Sequence, residues 1–133
     1  MAKATTFQCS VVTPEKIVLD TPATFVAFPA HDGEVGVLMN RAPLVCRMGI
    51  GTLRIESPQG NHTFFVDGGF AQVVDNRLTL LTEQAKKQQD ISAPNAEKAM
   101  VEARALPAKS EEAFAKRQRA VKRAQVQLKL AKS

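Results

Sequence analysis

The sequence predicts an α+β protein in two modules: an N-terminal all-β sandwich or flattened barrel, then a C-terminal antiparallel α-helical hairpin. Three observations carry that reading. Through residue 83, runs rich in Val, Ile, Leu and Phe recur at intervals of about 8–12 residues between Gly, Pro, Asn and Asp clusters, the spacing of short antiparallel strands. Beyond residue 83 the apolar residues recur at three and four instead, the helical period. The charge also partitions: residues 1–83 hold six Lys/Arg against eight Asp/Glu, a net −2, whereas residues 84–133 hold twelve against five, a net +7. Such asymmetry predicts modules with different partners. The expected division is a β domain over 1–83, a linker over 84–91 and a two-helix hairpin over 92–133.

The strands follow in order. Phe7, Cys9 and Val11 alternate with polar neighbours, the mark of a half-buried strand. Thr13-Pro14-Glu15 turns the chain into a second strand at 16–19, and Thr21-Pro22 breaks it. Residues 25–28 are β-branched and aromatic, and His31-Asp32-Gly33 is a tight turn, because Gly tolerates positive φ and Asp bonds its own backbone. A short strand follows through Val35, Val37 and Leu38, with Gly36 where another backbone can approach. Asn40-Arg41-Ala42-Pro43 ends it. Strands at 44–47 and 53–56 are expected on either side of Gly49-Ile50-Gly51, and strands at 62–66 and 70–74 on either side of Asp67-Gly68-Gly69. Asp75-Asn76 then joins the last of these to 77–82 as a short hairpin.

The residues 84–89, QAKKQQ, are polar and Gly-free. Ser92 is a suitable N-cap, and Pro94 is tolerated in a first helical turn. Ala96, Ala99, Met100, Ala103 and Leu106 form one face, with Glu97, Lys98, Glu102 and Arg104 toward solvent. Pro107 ends that helix. Ser110 caps a second, with Glu111 and Glu112 at the positive end of its dipole. There Phe114, Val121 and Leu128 recur at seven beside Ala113, Ala120 and Ala124. The shared face is Ala-rich, so it buries little area per residue, and buried area is what stabilises. A weakly held hairpin suits an element that opens.

Composition narrows the function classes. A hydrophobic share of 44% argues against disorder. Seven Phe but no Tyr or Trp leave few stacking platforms for single-stranded nucleic acid. No uncharged apolar run approaches the ~18–20 residues that span a bilayer. The start, MAKATTFQCS, has no apolar core of a signal peptide, so the expectation is a protein kept in a reducing interior unless an import sequence has been removed. Cys9 and Cys46 then read as reduced core thiols. His31 and His62 stand beside turns, and with two cysteines they match no metal-ligand spacing. No nucleophile has a positioned base, and Gly49-Ile50-Gly51 lacks the third glycine of a dinucleotide loop. Neither a catalytic set, a metal nor a cofactor is expected.

The basic cluster Lys116, Arg117, Arg119, Lys122 and Arg123 has two readings. A charge run is commonly a solvated helix face. Yet five cations without an interleaved acid repel one another, so an acidic partner would relieve them. Nucleic acid is the generic candidate, bound weakly and without base reading; a stand-alone protein with a basic, nucleic-acid-binding tail is the alternative function. The net-negative residues 1–83 count against it.

The ordered blocks FQCSVVTPEKIVLD, DGEVGVLMNRAPL, GTLRI and VDGGFAQVVDNRLTLLTE resemble the epsilon subunit of bacterial and chloroplast rotary ATP synthases over about residues 7–83. The C-terminal fifty residues match it in character more than in letters. The resemblance implies a non-catalytic, peripheral subunit at the foot of the central stalk, on the cytoplasmic face of the inner membrane or an equivalent energy-transducing membrane. It implies a sandwich bound to the gamma subunit and the c ring, with Glu34 and Arg41 toward the ring. It also implies a hairpin that either folds down or extends so that Arg117, Arg119, Lys122 and Arg123 approach acidic loops of the alpha and beta subunits and hinder ATP hydrolysis. Nucleic acid is not among the implied partners. Some bacterial members bind ATP through a motif at the start of the first helix; here its acidic and basic positions are Ser92 and Asn95, so weak ATP binding or none is expected.

Overall fold

The computed structural model describes residues 5–133. The first four residues of the expected 1–83 domain, and the part of the leader reading that rests on them, lie outside the described residues. The chain divides into two compact units, the first running to Ala85 and the second from Lys86 to Ser133.

The first unit is built on an open, eight-stranded sheet folded into a sandwich, whose last strand, β8, runs past Ala85 in sequence. Its strands are β1 (Phe7–Val12), β2 (Ile17–Ala23), β3 (Phe25–Ala30), β4 (Gly33–Val37), β5 (Leu44–Ser57), β6 (Gly60–Val74), β7 (Arg77–Leu81) and β8 (Ala85–Lys87). The order across the sheet is β2-β1-β7-β6-β5-β3-β4, with β8 paired to β6. Among β1 to β7, neighbours are antiparallel except β1 and β7, which run parallel.

The expected break at Thr21-Pro22 is not there: β2 runs through it to Ala23. Because β2 is an edge strand, a residue without an N–H is tolerated within it. The expected pairs of strands around the two glycine clusters are also single long strands, β5 of 14 residues and β6 of 15. Their shared register is unbroken from Leu44↔Val73 to Ser57↔Gly60. What changes at the glycines is the inward parity. In the core cluster, Met48 on β5 and Phe64 and Val66 on β6 lie on even numbers, and beyond the glycines Leu53 and Ile55 on β5 and Ala71 and Val73 on β6 lie on odd ones. Phe65, also fully buried, is outside that cluster. The ladder therefore turns a corner there and passes from one layer to the other, as strands do at the corners of packed sheets. Gly69 is indispensable to that corner. Its φ of +107° is disfavoured for L-residues, and a Cβ would fall on the carbonyl of Leu81.

Two turns match expectation. His31-Asp32 joins β3 to β4, with Gly33 at φ +145°, and Asp75-Asn76 joins β6 to β7 with φ of +51° and +58°, the signature of a type I′ hairpin turn. Between the layers lie Phe28, Phe64, Leu53, Ile55, Leu78, Leu80 and their neighbours, all fully buried. Cys9 belongs to this core. Cys46, read as a core thiol, is only half-buried at its edge, because it lies in β5 just before the corner, flanked by exposed Val45 and Arg47.

The second unit holds one 3-10 turn (Gln88–Asp90) and two helices, α1 (Ala93–Arg104) and α2 (Glu111–Ala131). Residues 84–91, read as linker, thus carry β8 and this turn. Both caps form: Ser92 Oγ accepts from the Asn95 N–H at 3.3 Å, and Ser110 Oγ from the Ala113 N–H at 3.0 Å. Ala96, Met100 and Ala103 are the buried residues of α1, and Ala124 and Leu130 those of α2. Phe114, expected on the packed face, is exposed near the start of α2. It sits in the first turn of α2, which begins seven residues after α1 ends at Arg104.

Candidate interaction surfaces

Two of three candidate surfaces gather the residues that the sequence singled out. The first is the end of the sandwich formed by the β3–β4 turn and the loop from β4 to β5. Glu34 lies in β4 opposite Pro29, exposed, and its carboxylate pairs with the Arg54 guanidinium at 3.2 Å across β3. Both side chains are more than half exposed, so the pair orients Glu34 more than it stabilises the fold. Arg41 is exposed in the loop, its N–H donating to the Leu38 carbonyl at 3.3 Å. Glu34 pairs with Arg54 rather than with Arg41. Partial burial and the nearby Asp32 carboxylate push the Cys46 thiol up, opposed in part by Arg41, which places Asp32, Arg41 and the thiol in one electrostatic neighbourhood. Leu38 adds a 62% exposed apolar side chain.

The second surface was not anticipated from sequence. On the solvent side of the sheet, register places Ile17 opposite Val12, Val12 opposite Leu81, and Leu81 opposite Phe70. These residues form one row across four strands, and Ile17, Leu81 and Phe70 are each about half exposed or more. Val45, 70% exposed, and Val74 widen it. The available signal is apolar residues on both parities of a strand, as in Leu44-Val45-Cys46 and Leu80-Leu81. Contiguous exposed apolar area of this kind marks an interaction surface. Beside the row, the Asp20 carboxylate accepts from Gln8 Nε2 at 2.6 Å and Ser10 Oγ at 3.0 Å; those bonds, with Arg77 nearby, hold its pKa below the usual aspartate value.

The third surface is α2. After Glu112 the helix and its last residues contain seven cations and no acid. Lys116, Arg119 and Lys122 are exposed, whereas Arg117 and Arg123 are half-buried on the side of Ala113, Ala120 and Ala124. The cluster therefore presents Arg119 and Lys122 outward and aligns Arg117 and Arg123 with the Ala-rich stripe. At the start of α1, Ser92 is committed to capping and Asn95 is exposed, so neither position offers a carboxylate or a cation. Among the described residues no group of three His, Cys, Asp or Glu could hold a metal ion, and no helix is long and apolar enough to cross a membrane.

Known proteins share this arrangement. The family model for the ATP synthase delta/epsilon chain β-sandwich domain matches residues 6–88. The ATP synthase epsilon chain of Rhodopirellula baltica is 43% identical over 122 residues, covering 92% of this chain and 95% of its own. That of Nitratidesulfovibrio vulgaris strain DP4 is 36% identical over 122 residues, covering 90% and 91%. Among solved structures, a chain of the Euglena gracilis mitochondrial ATP synthase (OSCP/F1/c-ring) superposes with a TM-score of 0.85 at 23% identity, over 100% of this chain and 85% of that one. A chain of the Tetrahymena thermophila central stalk and c-ring superposes with a TM-score of 0.76 at 13% identity, over 98% and 99%. The fold is that of one chain in each of these assemblies, and the sequence belongs to the ATP synthase epsilon-chain family.

Proposed function

We propose that this subunit has two jobs divided between its units. The sandwich, about residues 1–83, anchors the chain to the rotor: its apolar row packs on the gamma subunit, and the end bearing Glu34 and Arg41 faces the c ring. Residues 84–91 connect it to the hairpin of residues 92–133, which restrains ATP hydrolysis. In its extended state the hairpin brings Arg117, Arg119, Lys122 and Arg123 to acidic loops of the catalytic alpha and beta subunits. The complex holds the chain peripherally at the cytoplasmic face of the inner membrane or an equivalent energy-transducing membrane. With Ser92 and Asn95 in place of the family's acidic and basic positions, ATP is bound weakly or not at all.

One observation carries the regulatory half. A helix of 21 residues buries only Ala124 and Leu130 while carrying an unbroken series of cations. It is poor in the packing that would fix it and rich in the charge that an acidic surface would attract. Ion pairs from Arg119, Lys122 and Arg123 to acidic groups, at about 0.2–1 kcal/mol each, would together bias docking roughly threefold to a hundredfold. Reversing Arg119, Lys122 and Arg123 to Glu is therefore expected to raise ATPase activity of the assembled complex while assembly stays intact. Unchanged activity would remove the basic helix from the mechanism.

A further inference from the structure

The loop between β4 and β5 carries Leu38 and Arg41, and little of its own bonding holds it. Half-buried Met39 packs against the core, and apart from the Arg41 N–H to the Leu38 carbonyl the loop's hydrogen bonds among the described residues run to a turn 36 residues away in sequence. Asn76 Oδ1 accepts from the Asn40 backbone N–H at 2.6 Å, and Asn76 Nδ2 donates to Asn40 Oδ1 at 3.1 Å. The Asn76 carbonyl in turn accepts from the Gln8 N–H at 2.9 Å. Asn40 and Asn76 both have positive φ, +65° and +58°, a region that asparagine enters more readily than most side-chain-bearing residues. One amide therefore stands on a rigid β6–β7 turn, itself tied to β1, and grips the loop at both main chain and side chain.

We propose that Asn40 and Asn76 form a positioning clamp that presets the β4–β5 loop, with Leu38 and Arg41 on it, for docking to the rotor. This rests on the reading that this end of the sandwich meets the rotor. Exposed loops with few bonds are mobile, and a surface already held in its bound shape loses less freedom on association. The clamp requires an amide at 76, since both an acceptor and a donor are used. At position 40 only a side-chain acceptor is needed.

That asymmetry sets the test. Binding kinetics of the full chain to a gamma–c-ring subcomplex are measured with hydrogen exchange at the 40–42 amides. Asn76→Asp keeps the acceptor but turns a second oxygen toward Asn40 Oδ1, and Asn40→Gly keeps the backbone conformation without the side chain. Both are expected to weaken binding about tenfold, the equivalent of roughly 1.4 kcal/mol. The loss should come mainly from slower association, with faster loop exchange and an unchanged unfolding midpoint. The conservative Asn40→Asp, which keeps the acceptor, should bind within about threefold of the parent. Leu38→Asp tests the underlying docking reading separately. If it weakens binding while Asn76→Asp and Asn40→Gly do not, the clamp is overturned and loop docking stands. If Leu38→Asp has no effect either, the docking reading falls and the proposal with it.

Discussion

The sandwich and the hairpin are held by different amounts of the same interaction. Between the sheet layers lie Phe28, Phe64, Leu53, Ile55, Leu78 and Leu80, side chains whose full burial contributes about 1.5–3 kcal/mol each. The helices bury Ala96, Ala103 and Ala124, with Met100 and Leu130 as their larger residues. An isolated helical segment is marginal in water, so α1 and α2 depend on caps and on a thin stripe of methyl groups. The sandwich thus holds its shape by large buried side chains and the hairpin by small ones, the difference that the proposed anchor and regulated arm require.

The largest test of that contrast is Phe64→Ala. Truncating a fully buried Phe in a packed core should cost about 3–5 kcal/mol, seen as a lowered urea midpoint for the sandwich. A midpoint shift below about 1 kcal/mol would mean that the core is looser than its burial implies. Smaller and more local is Ser110→Ala. Loss of the bond to the Ala113 N–H should destabilise α2 by about 1 kcal/mol. Hydrogen exchange would rise along α2 and stay constant in β5 and β6; equal acceleration everywhere would show the two units unfolding as one.

A pH dependence that is silent at neutral pH comes from Cys9. Burial, then the Asp20 carboxylate, pushes its thiol up to about 12. An unfolded cysteine ionises near 8.5, so above that value the unfolded chain releases a proton that the folded chain retains. Its contribution is complete below the unfolded value and is lost as pH rises through the folded one. Cys9→Val should flatten the alkaline limb of stability, read as urea midpoints from pH 8 upward. An unchanged slope would show that the thiol is not shielded.

The legible parts of the fold were those fixed by local chemistry. Asp75-Asn76 and His31-Asp32-Gly33 announce turns because those residues tolerate positive φ, and Ser92 and Ser110 announce caps because a short hydroxyl satisfies a first-turn N–H. Gly49-Ile50-Gly51 and Asp67-Gly68-Gly69 misled for a nonlocal reason. A glycine cluster interrupts a strand unless the partner strand bends beside it, and here each cluster faces the other across one register. Pro22 misled similarly, since its tolerance depends on β2 lying at an edge. Among the candidate surfaces, the basic run on α2 was legible as charge, yet the outward turn of Arg119 and Lys122 relative to Arg117 and Arg123 depends on packing. The apolar row was hidden because strand register decides which residues become neighbours. The Asn40–Asn76 pair was hidden by its 36-residue separation.

The division of labour is tested most directly by ATP hydrolysis of the purified catalytic complex carrying either the full chain or a truncation after Lys87, which retains β8. Retained binding with raised hydrolysis is the predicted result, with the sandwich as anchor and the hairpin as restraint. Retained binding with equal hydrolysis would contradict the regulatory role, and loss of binding would contradict the anchor.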